Sequence, residues 1–174
     1  MRITRRAAAS LLAAPLILKG QGAAAQGAVP PVVGPAFHRF RVGALTVTVV
    51  TDGSNVRGDV RQGLVVNASG EQVTTAMQAA GIPGTAMRNP YNVTFVETPR
   101  GLVAFDVGTG GVGAETGALP ANMRAAGLDP AQVTLIVHTH FHGDHIGGLA
   151  TNEGTALFPQ ARIAVPEREW AFWT

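Results

Sequence analysis

The sequence predicts a layered domain that mixes strands and helices, of the α/β or α+β class. Three observations carry this. Valine- and threonine-rich runs with strand alternation recur along the chain, capped helix-like segments lie between them, and glycine or proline marks most junctions. The 174 residues suffice for one domain with a core, or for part of a larger one, and 46% hydrophobic against 14% charged residues with 22 glycines is a globular, turn-rich composition.

In chain order, residues 26–37, "QGAVPPVVGPAF", are proline-rich and read as an extended linker. "FRVGALTVTVVTDGS" alternates and reads as a strand pair ending at the "TDG" turn. "SGEQVTTAMQAAG" has a cap at Ser69 and a stop at Gly81, the marks of a short helix. "YNVTFVETPRGLVAFDVGTGG" is two apolar strands joined around "TPRG", the second running into Asp106 and glycines. "LPANMRAAGLDPAQ" is a helix closed by Gly127, and "VTLIV" is a short buried strand. "FPQARIAVPEREWAFW" adds one more strand and a helix start. No repeat of fixed period interrupts this order.

The formal net charge of +2 invites a nucleic-acid reading, but its source is local. Four of the 13 basic residues, Arg2, Arg5, Arg6 and Lys19, lie in the first 25, which hold no acid, leaving nine against 11 acidic residues and a net of −2. The basicity belongs to the leader, so no nucleic-acid partner is expected. That leader has a basic start, the apolar stretch "AAASLLAAPLIL" and "AAA" at 23–25, the layout of an export signal cleaved after Ala25. The Arg5-Arg6 pair after Thr4 is similar to the twin-arginine class, although Ala7 and Ala8 replace the bulkier residues usual there. The apolar run is too short to span a bilayer, so a periplasmic or secreted product without a stable membrane anchor is expected. With no cysteine, any metal must sit on nitrogen and oxygen ligands.

"HTHFHGDHIGG", residues 138–148, places four of the five histidines and one aspartate in eight positions directly after "VTLIV". Such a cluster suits a metal because the backbone holds several imidazoles close together. In an extended segment residues two apart share a side, so His140 and His142 reach one ion, while a tightening turn swings Asp144 and His145 toward a second point. One turn can therefore serve two metals. His138 reads as a strand-end residue outside this set. Gly147 and Gly148 allow close backbone approach. The bland alternative, a polar surface loop with loose metal affinity, fits four ordered histidines around an aspartate poorly.

With these residues in place, the sequence resembles the metallo-β-lactamase fold superfamily, whose H-x-H-x-D-H signature is met by His140, His142, Asp144 and His145. A second match, "GLVAFDVGTGG", looks like that superfamily's strand ending in D-x-G, here Asp106 and Gly108. "TVVTDG", with Asp52 and Gly53, and Asn92 look like the branch holding methyl parathion hydrolase and acyl-homoserine-lactone lactonases. The resemblance covers most of residues 38–174. It implies a four-layer αββα sandwich of which this chain holds roughly the N-terminal half. It further implies two divalent ions, zinc by default with manganese, iron or cobalt admitted. His140 and His142 would hold the first, Asp144 and His145 the second, and Asp106 would orient the ligands from outside or, in the plainer reading, serve as a turn aspartate. The remaining ligands of the family come from a C-terminal half; no histidine follows His145 and no aspartate follows Asp144 here.

The implied chemistry is hydrolysis of a small-molecule lactone, ester or phosphotriester by a metal-held hydroxide, with Asp144 also orienting the nucleophile or shuttling its proton. Two rivals stand beside it. "GTGGVG", residues 108–113, matches G-x-G-x-x-G, but Gly117 and Pro120 interrupt the helix a dinucleotide site needs. A truncated, non-catalytic product is the stronger rival: such a half would leave an apolar sheet face and an edge uncovered, inviting a partner such as a second copy, and alone would be inactive.

Overall fold

The computed structural model describes residues 34–82, 84–151 and 153–174. The expected leader, and most of the proline-rich segment after it, lie outside these. Among the described residues six strands form one sheet in sequence order: β1 (Phe37–Val42), β2 (Leu45–Arg57), β3 (Met87–Thr98), β4 (Gly101–Phe105), β5 (Val133–Val137) and β6 (Arg162–Ala164). The first four pair antiparallel, and β5 and β6 add in parallel. Four α-helices among the described residues interleave with them: α1 (Gly70–Ala79), α2 (Leu119–Ala125), α3 (Gly143–Ile146) and α4 (Glu167–Trp173). None is long and apolar enough to cross a membrane.

Local signals explain most boundaries. Ser69 and Gln72 form a reciprocal capping box at the start of α1, whose Val73 and Met77, one turn apart, pack with Val60. Pro120 occupies the first turn of α2, where its missing N–H costs nothing. Pro90 lies within β3, but β4 pairs only with Thr94–Thr98, so the proline faces an edge that needs no donor from it.

The strand expected to end at "TDG" continues to Arg57. A register shift between Thr51 and Gly53 absorbs the turn-forming residues as a bulge. Gly53 has φ +129° there, and a Cβ would run into the Glu115 carbonyl, whose oxygen instead accepts from the Ser54 amide at 2.9 Å. A glycine that locally reads as a turn thus serves a long-range approach of two backbones.

The core lies on one face of the sheet. Val50, Val93, Phe95, Ala104, Val133 and Ile136 pack there with Leu119 and Met123 of α2, each at most 1% exposed. The register places Val49, Val96, Val103, Phe105, Leu135 and Val137 on the opposite face, half-buried except for Phe105, which is 40% exposed. The described residues therefore supply one sheet and a helical layer, half of the four-layer arrangement that the resemblance implies.

Asp52 binds these layers together. Only 1% exposed, its carboxylate accepts from the Thr109 amide (2.8 Å), the Thr109 hydroxyl (2.7 Å) and the Leu119 amide (3.0 Å). It thereby fastens the glycine loop after β4 and the start of α2 to β2. Replacing Asp52 with alanine strands three donors and should cost about 3 kcal/mol or more. Urea unfolding should show a lowered midpoint, with Asp52→Asn falling less because one acceptor oxygen survives.

Candidate metal centre

The histidine turn sits where β4 and β5 end side by side. The parallel pairing of Phe105 with Val137 brings Asp106, one residue past β4, next to His138 and Thr139, just past β5. Asp106 is the one non-glycine among the described residues with positive φ, 61°. For an aspartate this conformation is accessible but uncommon. It is held by contacts on every side: the Asp106 amide donates to Val137 O and the Val107 amide to His145 O.

The Asp106 carboxylate accepts from the Thr139 amide at Oδ1 (2.8 Å) and from the Thr139 hydroxyl at Oδ2 (2.8 Å). His145 Nδ1 lies 2.8 Å from the same Oδ2. Burial alone would raise this carboxyl, but the hydrogen bonds from His145 and Thr139 outweigh it and hold the group below its usual value. An ionised carboxylate requires a proton on His145 Nδ1, which leaves the neutral ring's Nε2 lone pair outward. With its own proton given to Asp106, the Thr139 oxygen accepts from His140 Nδ1 at 3.0 Å, which assigns the same tautomer to His140.

After β5 the chain bends at Thr139, and His142 is extended (φ −67°, ψ 150°) just before α3. His140 Nε2 and His142 Nδ1 face each other at 3.2 Å. Two nitrogens each about 2.0–2.1 Å from a tetrahedral zinc are about 3.3 Å apart, so this pair has the spacing of two ligands on one ion. Asp144 Oδ2 and His145 Nε2 form a second pair 3.6 Å apart. The rings of His140 and His145 lie 3.9 Å apart, placing both pairs in one cluster. The donors thus fit divalent ions as pairs. Among the described residues no group of three or more His, Asp or Glu side chains is arranged to hold an ion.

His138 lies beneath the cluster, 2% exposed, with neither ring nitrogen hydrogen-bonded and Nδ1 3.6 Å from Asp106 Oδ1. Burial lowers its pKa against the opposing pull of Asp106, so the neutral ring is favoured there. Gly147 and Gly148 lie against the loop after β4. A Cβ on Gly148 would overlap the Val107 carbonyl, and the Gly148 amide donates to Gly108 O at 3.3 Å. Asn92 stands apart, accepting from the Thr51 hydroxyl at 3.1 Å, and Asp52 is the fastening described above. "GTGGVG" forms a turn, and α2 begins only at Leu119, so the helix of a dinucleotide site is not formed there.

Two further residues of the cluster stand outside the expected ligand set. Thr139, between β5 and His140, couples Asp106 to the imidazoles. Glu169, from α4, accepts from the Phe141 amide at 3.0 Å. An alternating donor-capable residue inside the motif hints at the first; only the fold reveals the second.

Residues 86–171 match the family model described as Metallo-beta-lactamase superfamily, and they form part of a domain of that superfamily. Among curated relatives, "Metallo-beta-lactamase domain-containing protein 1" of Homo sapiens is 32% identical over 109 residues, 60% of this chain and 40% of that protein. Two solved structures are similar at 26% identity. "Hydrolase AbOPH in beta lactamase superfamily" has a TM-score of 0.70 over 80% of this chain and 47% of that one. "AidC, a Dizinc Quorum-Quenching Lactonase, in complex with a product N-hexnoyl-L-homoserine" has a TM-score of 0.71 over 79% and 47%. The chain thus spans less than half the length of these relatives.

Asp106→Asn places an amide against two donors and should weaken zinc binding roughly 10–100-fold, read by calorimetric titration. It should also change the acid limb of stability. Because the folded carboxyl titrates below its usual 3.8, its contribution is complete above that value and is lost as pH falls through the lowered one. Unfolding measured across a pH series should show the wild type losing stability below about pH 4 more steeply than Asp106→Asn.

Proposed function

We propose that this chain carries the ligand-bearing first part of a divalent-metal hydrolase acting on a small lactone, carboxylic ester or phosphotriester, in that order of preference. The observation that carries the reading is the 3.2 Å approach of His140 Nε2 and His142 Nδ1, two imidazole nitrogens at ligand spacing beside a carboxylate-held His145. Likeness to a dizinc lactonase supports zinc as the ion and a lactone as the first substrate to try.

Divalent ions bound here would supply a water-derived nucleophile at neutral pH and polarise the oxygen of the group being attacked. The chain's own residues do the rest. His140 and His142 bind one ion, and Asp144 and His145 the other. Thr139 and Asp106 keep the Nδ1 protons of His140 and His145 engaged, so neither ring must reorient to bind. Asp144 lies at the start of α3 with its side chain 39% exposed; it would also orient the attacking water or accept its proton. A leader of export type supports a periplasmic or secreted site of action.

A second reading, a non-catalytic piece that binds metal weakly, draws on the lack of any three-donor group among the described residues. One assay separates the two. The zinc-loaded chain, and a longer chain containing it, should be offered lactone, ester, phosphotriester, thioester and β-lactam substrates with and without chelator. Chelator-sensitive turnover restored by added zinc is the expected result, with Asp144→Ala lowering second-metal occupancy and turnover together. Metal uptake with no turnover of any substrate by either chain would favour the second reading.

A further inference from the structure

Glu169 lies beyond the histidine turn in sequence, on α4, yet it contacts the middle of that turn. Its Oε2 accepts from the Phe141 amide at 3.0 Å and from Trp173 Nε1, one helical turn along, at 3.2 Å. Phe141 is the residue between His140 and His142. Its amide has no ladder partner, since β5 ends at Val137, so Glu169 supplies the acceptor the backbone lacks. Fixing that amide fixes the backbone between His140 and His142, on which the 3.2 Å approach of His140 Nε2 and His142 Nδ1 depends.

We infer that Glu169 is a positioning residue for the metal-binding turn: through the Phe141 amide it holds His140 and His142 at ligand spacing, with Trp173 steadying its carboxylate. A charge-assisted bond donated by a backbone N–H to a carboxylate is among the stronger kinds available. The geometry also couples the last helix to the site, because α4 reaches the turn through this carboxylate. This inference rests on the metal reading above, and its test separates the two.

Cobalt(II) serves as the probe, because its visible absorption reports ligand geometry independently of turnover. Cobalt titrations of the full chain and of Glu169→Gln, Glu169→Ala and Trp173→Phe should be paired with amide exchange at residues 140–143. Glu169→Ala should bind cobalt roughly 10–100-fold more weakly with an altered spectrum, and exchange at Phe141 should quicken. Glu169→Gln, whose side-chain carbonyl can still accept, should stay close to wild type. Trp173→Phe should fall between them and remains informative if the alanine variant does not fold. Wild-type cobalt binding, spectrum and exchange in Glu169→Ala would overturn the inference, as would Glu169→Gln failing as badly as Glu169→Ala. A wild-type chain that takes up no cobalt would instead sink the metal reading. Phe141 exchange in the alanine variant would still decide whether Glu169 holds the turn.

Discussion

One carboxylate organises the site. Asp106 stands at the end of β4, in a left-handed conformation, and gathers three donors from the segment that follows β5. Without the parallel β4–β5 pairing those donors would not be within reach. Without the positive φ the carboxylate would leave that position. The bonds it accepts keep it ionised, and its ionisation in turn dictates which nitrogens of His145 and His140 carry protons. A backbone conformation, a sheet register and a set of tautomers are therefore coupled, so that disturbing one shifts the others.

Around this centre the fold adds fastenings of similar construction. Asp52 ties the loop after β4 to β2 and α2, Gly147 and Gly148 let α3 close against that loop, and Glu169 reaches in from α4. Each links segments distant in sequence through a backbone amide or a carbonyl contact that a larger residue would block. The Asp106 and Glu169 contacts converge on a short stretch of chain, Thr139 to His145, in which every proposed ligand lies. The opposite face of the sheet, with Val96, Val103, Phe105 and Leu135, takes no part in this and presents an apolar surface.

The proposed ligands could be named from the sequence because they are close together: spacing of two in an extended segment and a turn before Asp144 need no knowledge of the fold. The same holds for the α1 cap at Ser69 and the α2 stop at Gly127, where φ is +73°. What could not be read is what depends on pairing. "TDG" has the composition of a turn, yet β3 pairs with β2 on both sides of it and draws it into the sheet as a bulge. Asp106 reads as a ligand orienter with a turn aspartate as the plainer alternative, and the donors its carboxylate takes from Thr139 and His145 appear only once β5 lies beside it. Glu169 is an ordinary helix glutamate until α4 packs beside Phe141.

Asp106 sets the protonation of the imidazole cluster so that His145 offers Nε2 outward. Nitrogen-15 NMR of the histidine rings reads this directly, because protonated and lone-pair nitrogens differ widely in shift. At a pH well above the imidazole range, the metal-free chain should show His145 with its proton on Nδ1, and added zinc should move the Nε2 resonance. A proton on Nε2, or an Nε2 resonance indifferent to zinc, would show that Asp106 does not set the tautomer of His145.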